Sequence, residues 1–387
     1  MFQKQNKGTA YTTFNTIKLL RSGKPYFSTL LSMIEQAKYS IHLQVYIFDE
    51  DETGQQVADK LMEATKRGVN VYLMPDGYAS KKLSAKFIQS LTDAGVNFSF
   101  FEPVLKSEHF YFGRRLHHKV TVVDGFYGLV AGLNISNRYN DMPDEPAWMD
   151  WGIYVEGQAT QELYKICLEV WCKANKISNK PQHETIQEMV KDNCLVRVRR
   201  NDWVKRYNQI SRSYVDMLRT STSHVTIMSS YFIPGWFIRQ RLARAARRGV
   251  KIRLILTGIS DVKIAKGAEC YIYRWFHKKN IDVYEYTAGV LHCKLSTQDG
   301  KFVTIGSYNV NNLSAYASVE LNLDIANEAF AQSTDKQIDE IIEQHCILIT
   351  PEIYKKRYNI IKTSMQFMSY LIVRMLINIS TFYFKQQ

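Results

Sequence analysis

Hydrophobic and polar positions along the chain switch between a two-residue and a helical period, and they do so twice in the same order. An apolar strand is predicted over 41–48 and again over 225–232, each followed by an amphipathic helix that ends at Gly68 or Gly249. A β-branched strand, a second helix and a strand ending near Phe101 or Tyr286 come next. Each half then has a strand closed by Asp124-Gly125 or Asp299-Gly300, a short returning strand, and a segment at Asp150–Val155 or Glu320–Ile325 before a closing helix. Strands alternating with helices predict an α/β fold with mixed sheets covered on both faces. The expected organisation is two similar domains, 20–185 and 190–347, packed about a pseudo-twofold axis. The polar stretch 175–193, with Pro181, is the expected connection.

The repetition is literal where it matters. Leu116-His117-His118-Lys119 and Asp124-Gly125 recur as Leu291-His292-Cys293-Lys294 and Asp299-Gly300 at a constant offset of 175, which also carries Asn134 onto Asn309. Upstream, Lys66–Leu73 matches Arg247–Leu254 at an offset of 181, so the repeat is domain-sized.

In a strand, residues i and i+2 share a face, so His117 and Lys119 are expected to project together, as are His292 and Lys294. Should the halves pack symmetrically, one pocket would hold two imidazoles, two ammonium groups and the carboxamides of Asn134 and Asn309. Such a set suits a phosphodiester. One imidazole attacks phosphorus and becomes phosphorylated while the other protonates the departing oxygen, and the roles then reverse. The lysines and asparagines would stabilise charge on the non-bridging oxygens. A carboxylate is expected to orient each ring, and Asp150 and Glu320, opening equivalent strands downstream of His117 and His292, are the candidates. The motifs lack the clustered carboxylates that hold magnesium, so neither a metal nor another cofactor is called for.

One such HxKxxxxD motif carries little weight, but two copies in register resemble the phospholipase D superfamily, which this pair of motifs defines. Within it the chain looks most like bacterial cardiolipin synthases, through 40–48, Asp76-Gly77, 131–135, Trp148-Met149-Asp150 and 230–234, over about residues 30–345. The resemblance implies two phospholipase D-like domains, a phosphohistidine, and transfer of a phosphatidyl group with release of glycerol or another small alcohol. It casts His117 as nucleophile and His292 as acid then base; the repeat by itself permits the reverse. His117, Lys119, Asp124, His292, Lys294 and Asp299 are the implied catalytic set. The substrates implied are phospholipids, phosphatidylglycerol among them. Hydrolysis to phosphatidic acid and metal-independent cleavage of nucleic acid are the rival chemistries.

Charge adds a second theme. Of the net +13 over 387 residues, six positive charges lie in 354–387, which has no acidic residue. No stretch there reaches 18 uninterrupted apolar residues, which argues against a simple transmembrane helix. Ile361, Met365, Met368, Ile372, Met375, Ile379 and Phe382 instead predict an amphipathic helix in a basic tail, 351–387, suited to an anionic membrane surface. Its apolar stripe disfavours nucleic acid as a partner. The first residues show no apolar run of secretory length, and the six cysteines form no CxxC pair, so the expectation is a cytoplasmic protein at the inner face of the cell membrane. Oligomeric state is left open. Arg114 and Arg115, just ahead of the first motif, are additional functional candidates.

Overall fold

The computed structural model describes residues 10–103, 114–182, 184–186, 188, 190, 192–311, 314–315 and 318–385, with backbone alone for 378–385. Two compact units are present. The first comprises Met1–Arg199 with Ile305–Ser307 and Val319–Leu323; the second comprises Arg200–Thr304, Tyr308–Ser318 and Asp324–Gln387.

Through the first unit run β1 (Asn15–Arg21), α1 (Lys24–Gln36), β2 (Ser40–Val45), α2 (Glu52–Lys66), β3 (Asn70–Pro75), α3 (Ala85–Asp93) and β4 (Asn97–Phe98). They continue as β5 (Arg115–Leu116), β6 (Lys119–Val123), β7 (Tyr127–Ala131), β8 (Trp151–Gly157) and α4 (Gln158–Ala174). Seven of these strands form a mixed sheet in the order β1-β8-β7-β6-β2-β3-β4, parallel across β2, β3 and β4 and antiparallel elsewhere. Every residue of β2 is buried although its sequence alternates, with Ile41, Leu43 and Val45 on one face and Ser40, His42 and Gln44 on the other. Ile41 and Leu43 enter the main apolar cluster, while His42 stacks on Tyr72 at 4.6 Å.

Onward come β9 (Leu195–Asp202), β10 (Tyr207–Asn208), α5 (Gln209–Thr220), β11 (His224–Ser229), α6 (Trp236–Arg247), β12 (Lys251–Ile259) and α7 (Lys263–His277). The chain ends with β13 (Asp282–Val290), β14 (Lys294–Gln298), β15 (Phe302–Gly306), β16 (Ser318–Ala326), α8 (Glu328–His345), β17 (Cys346–Leu348), α9 (Pro351–Arg357) and α10 (Ile360–Lys385). The second sheet has the order β10-β9-β16-β15-β14-β11-β12-β13-β17, with β5 pairing to β16 off that path. Its β11, β12 and β13 are parallel and β14 runs antiparallel to β11, repeating the pattern of β2, β3, β4 and β6.

The two Asp-Gly pairs fold alike. Asp124 and Asp299 both have φ 52°, and Gly125 and Gly300 both have φ 63°. Successive positive φ values make a type I′ reversal, closed by Phe126 N to Val123 O at 3.0 Å and by Lys301 N to Gln298 O at 2.9 Å. Each carboxylate then reaches back to the start of the neighbouring strand. Asp124 accepts from Lys38 N, Tyr39 N and Ser40 N at 2.8–2.9 Å. Asp299 accepts from Thr222 N, Ser223 N and His224 N at 2.9 Å. The turn is thereby clasped to the strand beside it, and the motif is held in register.

Asp124→Ala leaves three N–H groups without their acceptor at a fully buried site, with an expected cost of about 3 kcal/mol in chemical denaturation. Asp299→Ala, less buried, should cost about half that. Burial pushes the Asp299 carboxyl up, but the three backbone donors outweigh it and the pKa ends below its ordinary 3.8. A depressed folded-state pKa gives stability that is present above pH 3.8 and lost as pH falls through the lower folded value. Acid titration of Asp299→Asn should lack that increment.

Candidate functional site

The first motif does not lie on one continuous strand as its spacing predicts. β6 begins at Lys119, and His117 sits in the two-residue break after β5. The break has a cause: His117 N and His118 N both donate to Val319 O, at 3.0 and 2.9 Å, so the backbone is drawn to β16 before it joins β6. The predicted alternation survives. His118 points into the core, with Nε2 2.8 Å from Gln44 Oε1, while Lys119 Nζ donates to His117 O at 2.5 Å.

Glu320 orients the His117 ring, with Oε2 2.9 Å from Nδ1. Ser307 Oγ donates to the same oxygen at 2.5 Å, and Ser307 is fixed in turn by Leu321 N at 3.1 Å. The carboxylate accepts, so Nδ1 carries the ring proton and the Nε2 lone pair faces away from Glu320. Sequence order sets Glu320 downstream of His292; the contact formed is with His117, 203 residues away. Tyr46, one residue past β2, packs edge-on against His117 at 4.9 Å and lies under Lys119 Nζ at 5.2 Å. Burial first, then Asp76, pushes its phenol up to about 12, against an opposing pull from Arg115. The phenol therefore keeps its proton.

In the second motif His292 again precedes its strand, and Lys294 opens β14. Both side chains are buried. Lys294 Nζ lies 2.9 Å from His292 Nδ1 and 3.1 Å from Nε2, and it also donates to His292 O. Ser230, one residue past β11 and so the counterpart of Tyr46, lies 3.4 Å from Lys294 Nζ and donates to Asn309 Oδ1 at 3.1 Å. A ring beside one lysine and a hydroxyl beside the other make the two copies chemically unequal.

The remaining candidates sit behind these groups. Asn134 accepts from Ile47 N at 3.1 Å and donates to Tyr139 OH at 2.9 Å, so its amide holds loops. Asp150 is fully buried, accepts from Trp151 N at 2.8 Å, and lies where a Cβ on Gly132 would come within 2.6 Å of Oδ2. Asp124 and Asp299 serve the backbone clasps. Arg114 pairs with Glu102 at 2.7 Å and stacks on Phe101; Arg115 approaches Asp76 at 3.8 Å. Asp76 accepts from Tyr78 N, Ala79 N and Leu116 N, which fixes β5 one residue ahead of His117. Both arginines thus brace the approach to the motif. Spacing did not single out Tyr46, Ser230 or Ser307; the available signal was that each lies beside a residue already in a motif or in a recurring strand end.

Residues 30–171 and 214–342 match the family model described as cardiolipin synthase, PLD-like domain. Cardiolipin synthase B of Escherichia coli (strain K12) is 30% identical over 370 residues, 91% of this chain and 87% of that protein. Cardiolipin synthase of Halalkalibacterium halodurans is 32% identical over 309 residues, 79% of this chain and 61% of that one. Among solved structures, phosphatidylserine synthase from Haemophilus influenzae Rd KW20 has a TM-score of 0.73 at 14% identity, covering 96% of this chain and 97% of its own, a likeness of fold.

If Glu320 sets the His117 tautomer, ¹⁵N spectra of histidine-labelled protein should show His117 protonated at Nδ1, and Glu320→Gln should give a mixture. The same variant should lose about 10²–10⁴-fold in kcat with little change in KM, and its pH–rate profile should shift. Unchanged spectra and an unchanged profile would count against the orienting role.

Proposed function

The chain belongs to the cardiolipin synthase, phospholipase D-like family, and on that premise we propose that it moves a phosphatidyl group between phospholipids through a phosphohistidine. At the coarser level it is a phospholipid-metabolising enzyme, homologous over nine-tenths of its length to phosphatidyltransferases. The preferred donor and acceptor are both phosphatidylglycerol, with diphosphatidylglycerol and glycerol as products.

The observation that carries the reading is the oriented imidazole of His117, with Glu320 at Nδ1 and Lys119 at its carbonyl. Nε2 attacks phosphorus, the bond from phosphorus to the glycerol headgroup oxygen breaks, and the imidazolium of His292 gives that oxygen its proton. His292, now neutral, removes a proton from the primary hydroxyl of a second phosphatidylglycerol. That oxygen attacks phosphorus, the P–N bond breaks, and both rings return to their starting states. Lys119 and Lys294 neutralise charge on the non-bridging oxygens, the contribution that preorganised cations make best when buried. Asn309 keeps Ser230 beside Lys294, Asn134 holds the loops behind the first motif, and Asp150 is the supporting carboxylate opposite Glu320 in the repeat. Asp124 and Asp299 act by positioning their motifs. The attack assigned to His117 over His292 is supported by the tautomer Glu320 sets: with Nδ1–H held by the carboxylate, Nε2 is left with its lone pair for phosphorus.

The setting is the cytoplasmic face of the cell membrane, where the substrates reside. With phosphatidylglycerol vesicles and chelator present, the purified protein should release glycerol and form diphosphatidylglycerol. His117→Ala should abolish turnover, whereas His292→Asn, quenched early, should retain a phosphatidyl adduct on His117 visible by mass spectrometry. Phosphatidic acid as the main product would replace transfer by hydrolysis, and DNA cleavage with inert lipid would overturn the lipid reading altogether.

A further inference from the structure

The basic tail turns out to be built onto the second unit. Arg357 donates to Glu285 Oε2 at 2.8 Å, and Glu285 also takes Lys266 at 2.6 Å, so the end of α9 is pinned by a largely buried ion network. Tyr354 OH donates to Gln366 Oε1 at 3.1 Å, and Asn359 caps the start of α10 through Lys362 N. From there α10 lies along α7. Tyr271 packs against Phe367 and Tyr370, and Ser369 Oγ sits where a Cβ on Gly267 would reach it at 2.8 Å.

That packing uses only one flank. Gln366 and Tyr370 are buried, but Ile361, Met365, Met368 and Met375 are 71%, 65%, 54% and 55% exposed. The stripe read from the sequence is therefore the flank turned away from the body, and Ile379 and Phe382 lie beyond the residues whose side chains are described. The window Ile360–Ile377, mean hydropathy 1.3, is long and apolar enough to cross a membrane by length and composition, which corrects the expectation from uninterrupted runs. One flank, with Gln366, Tyr370 and Val373, packs on the body while the other is exposed, the placement of a helix lying along an interface and not of one wholly surrounded by lipid.

At the root of α10 lies a cavity of about 630 Å³ lined by Arg274, His277, Lys278 and Lys355, with Thr363 and Ser364 on the helix side. Among the described residues no acidic one lines it. Glu352, on the same short helix as Lys355, is engaged at Thr350, which helps hold its carboxyl below the ordinary value, and it stands outside the lining. His277 Nε2 is committed to Ile349 O at 2.7 Å, which fixes the ring as part of the wall. Three cations and an adjoining exposed apolar edge match a phosphate attached to acyl chains, while the Thr363 and Ser364 hydroxyls donate to Asn359 O and Ile360 O of their own helix.

We propose that this cavity takes the phosphate headgroup of an anionic phospholipid in the bilayer while the outward flank of α10 enters the same leaflet. The site is distinct from the HxK motifs and seats the second unit on the membrane. The choice of a phospholipid as occupant rests on the lipid reading above. Charge selects the surface and the methionine-rich flank supplies adaptable apolar contact.

The test is vesicle flotation of the full chain carrying His117→Ala, so that binding is read without turnover. Vesicles of phosphatidylcholine with 30% phosphatidylglycerol, about a third anionic lipid as in a charged leaflet, are compared with phosphatidylcholine alone. Arg274→Gln/Lys278→Gln/Lys355→Gln should weaken partitioning onto the anionic vesicles about 100-fold, to the level on neutral ones. Met365→Ser/Met368→Ser/Met375→Ser should weaken binding to both. These positions are exposed, and unchanged melting curves would verify the fold. Parental binding by the charge variant overturns the proposal, as does release of the parent from anionic vesicles by millimolar inorganic phosphate at constant ionic strength, which marks a free-anion site. A protein that binds in the expected pattern yet converts no lipid leaves this site standing and removes the proposed reaction.

Discussion

A carboxylate closing over three consecutive backbone N–H groups, once at Asp124 and again at Asp299, is the constraint on which the rest of the molecule depends. Each clasp ties the reversal after a motif strand to the beginning of the strand beside it. A one-residue slip in that pairing would turn every side chain of the motif strand to the opposite face. Histidine and lysine at fixed spacing are useful only if that register is rigid. The aspartate of the recurring motif thus earns its place through backbone geometry, five positions beyond the lysine whose position it secures.

On this frame the two motif copies diverge chemically. The first has an aromatic ring below its lysine and a carboxylate at its histidine; the second has a serine beside its lysine and an ammonium against its histidine. The transfer proposed above would ask different things of its two imidazoles, and unequal surroundings would let a duplicated scaffold divide that labour. Duplication supplies two equivalent positions, and a handful of neighbouring substitutions makes them inequivalent.

Much of this was legible from residues alone. The element order of both halves followed from apolar periodicity, and the Asp-Gly pairs announced tight reversals, because positive φ at two successive positions demands those residue types. His118, between His117 and Lys119, is buried with Nε2 2.8 Å from Gln44 Oε1. The strand over 41–48 was overextended: β2 stops at Val45, and Tyr46 then leaves the ladder to pack on His117. Nothing in a periodic pattern distinguishes a strand residue from the apolar residue that follows it. Arg114 and Arg115 drew attention by proximity to the motif, yet their partners Glu102 and Asp76 come from elsewhere in the chain and make them braces.

The sequence by itself determined the duplicated α/β plan, the repeated His-Lys pairs, and a one-sided apolar helix in a basic tail, since each is written in local spacing and composition. Only the tertiary structure decided that Glu320 bonds His117, that Ser307 supports it, and that α10 packs Phe367 and Tyr370 against Tyr271 of α7 while leaving Met365, Met368 and Met375 outward. Those outcomes depend on which distant segments arrive at the same place. Hydrogen bonds of about 3 Å and the choice of a buried helix face are set by packing between residues tens to hundreds of positions apart, for which periodicity along the chain carries no signal.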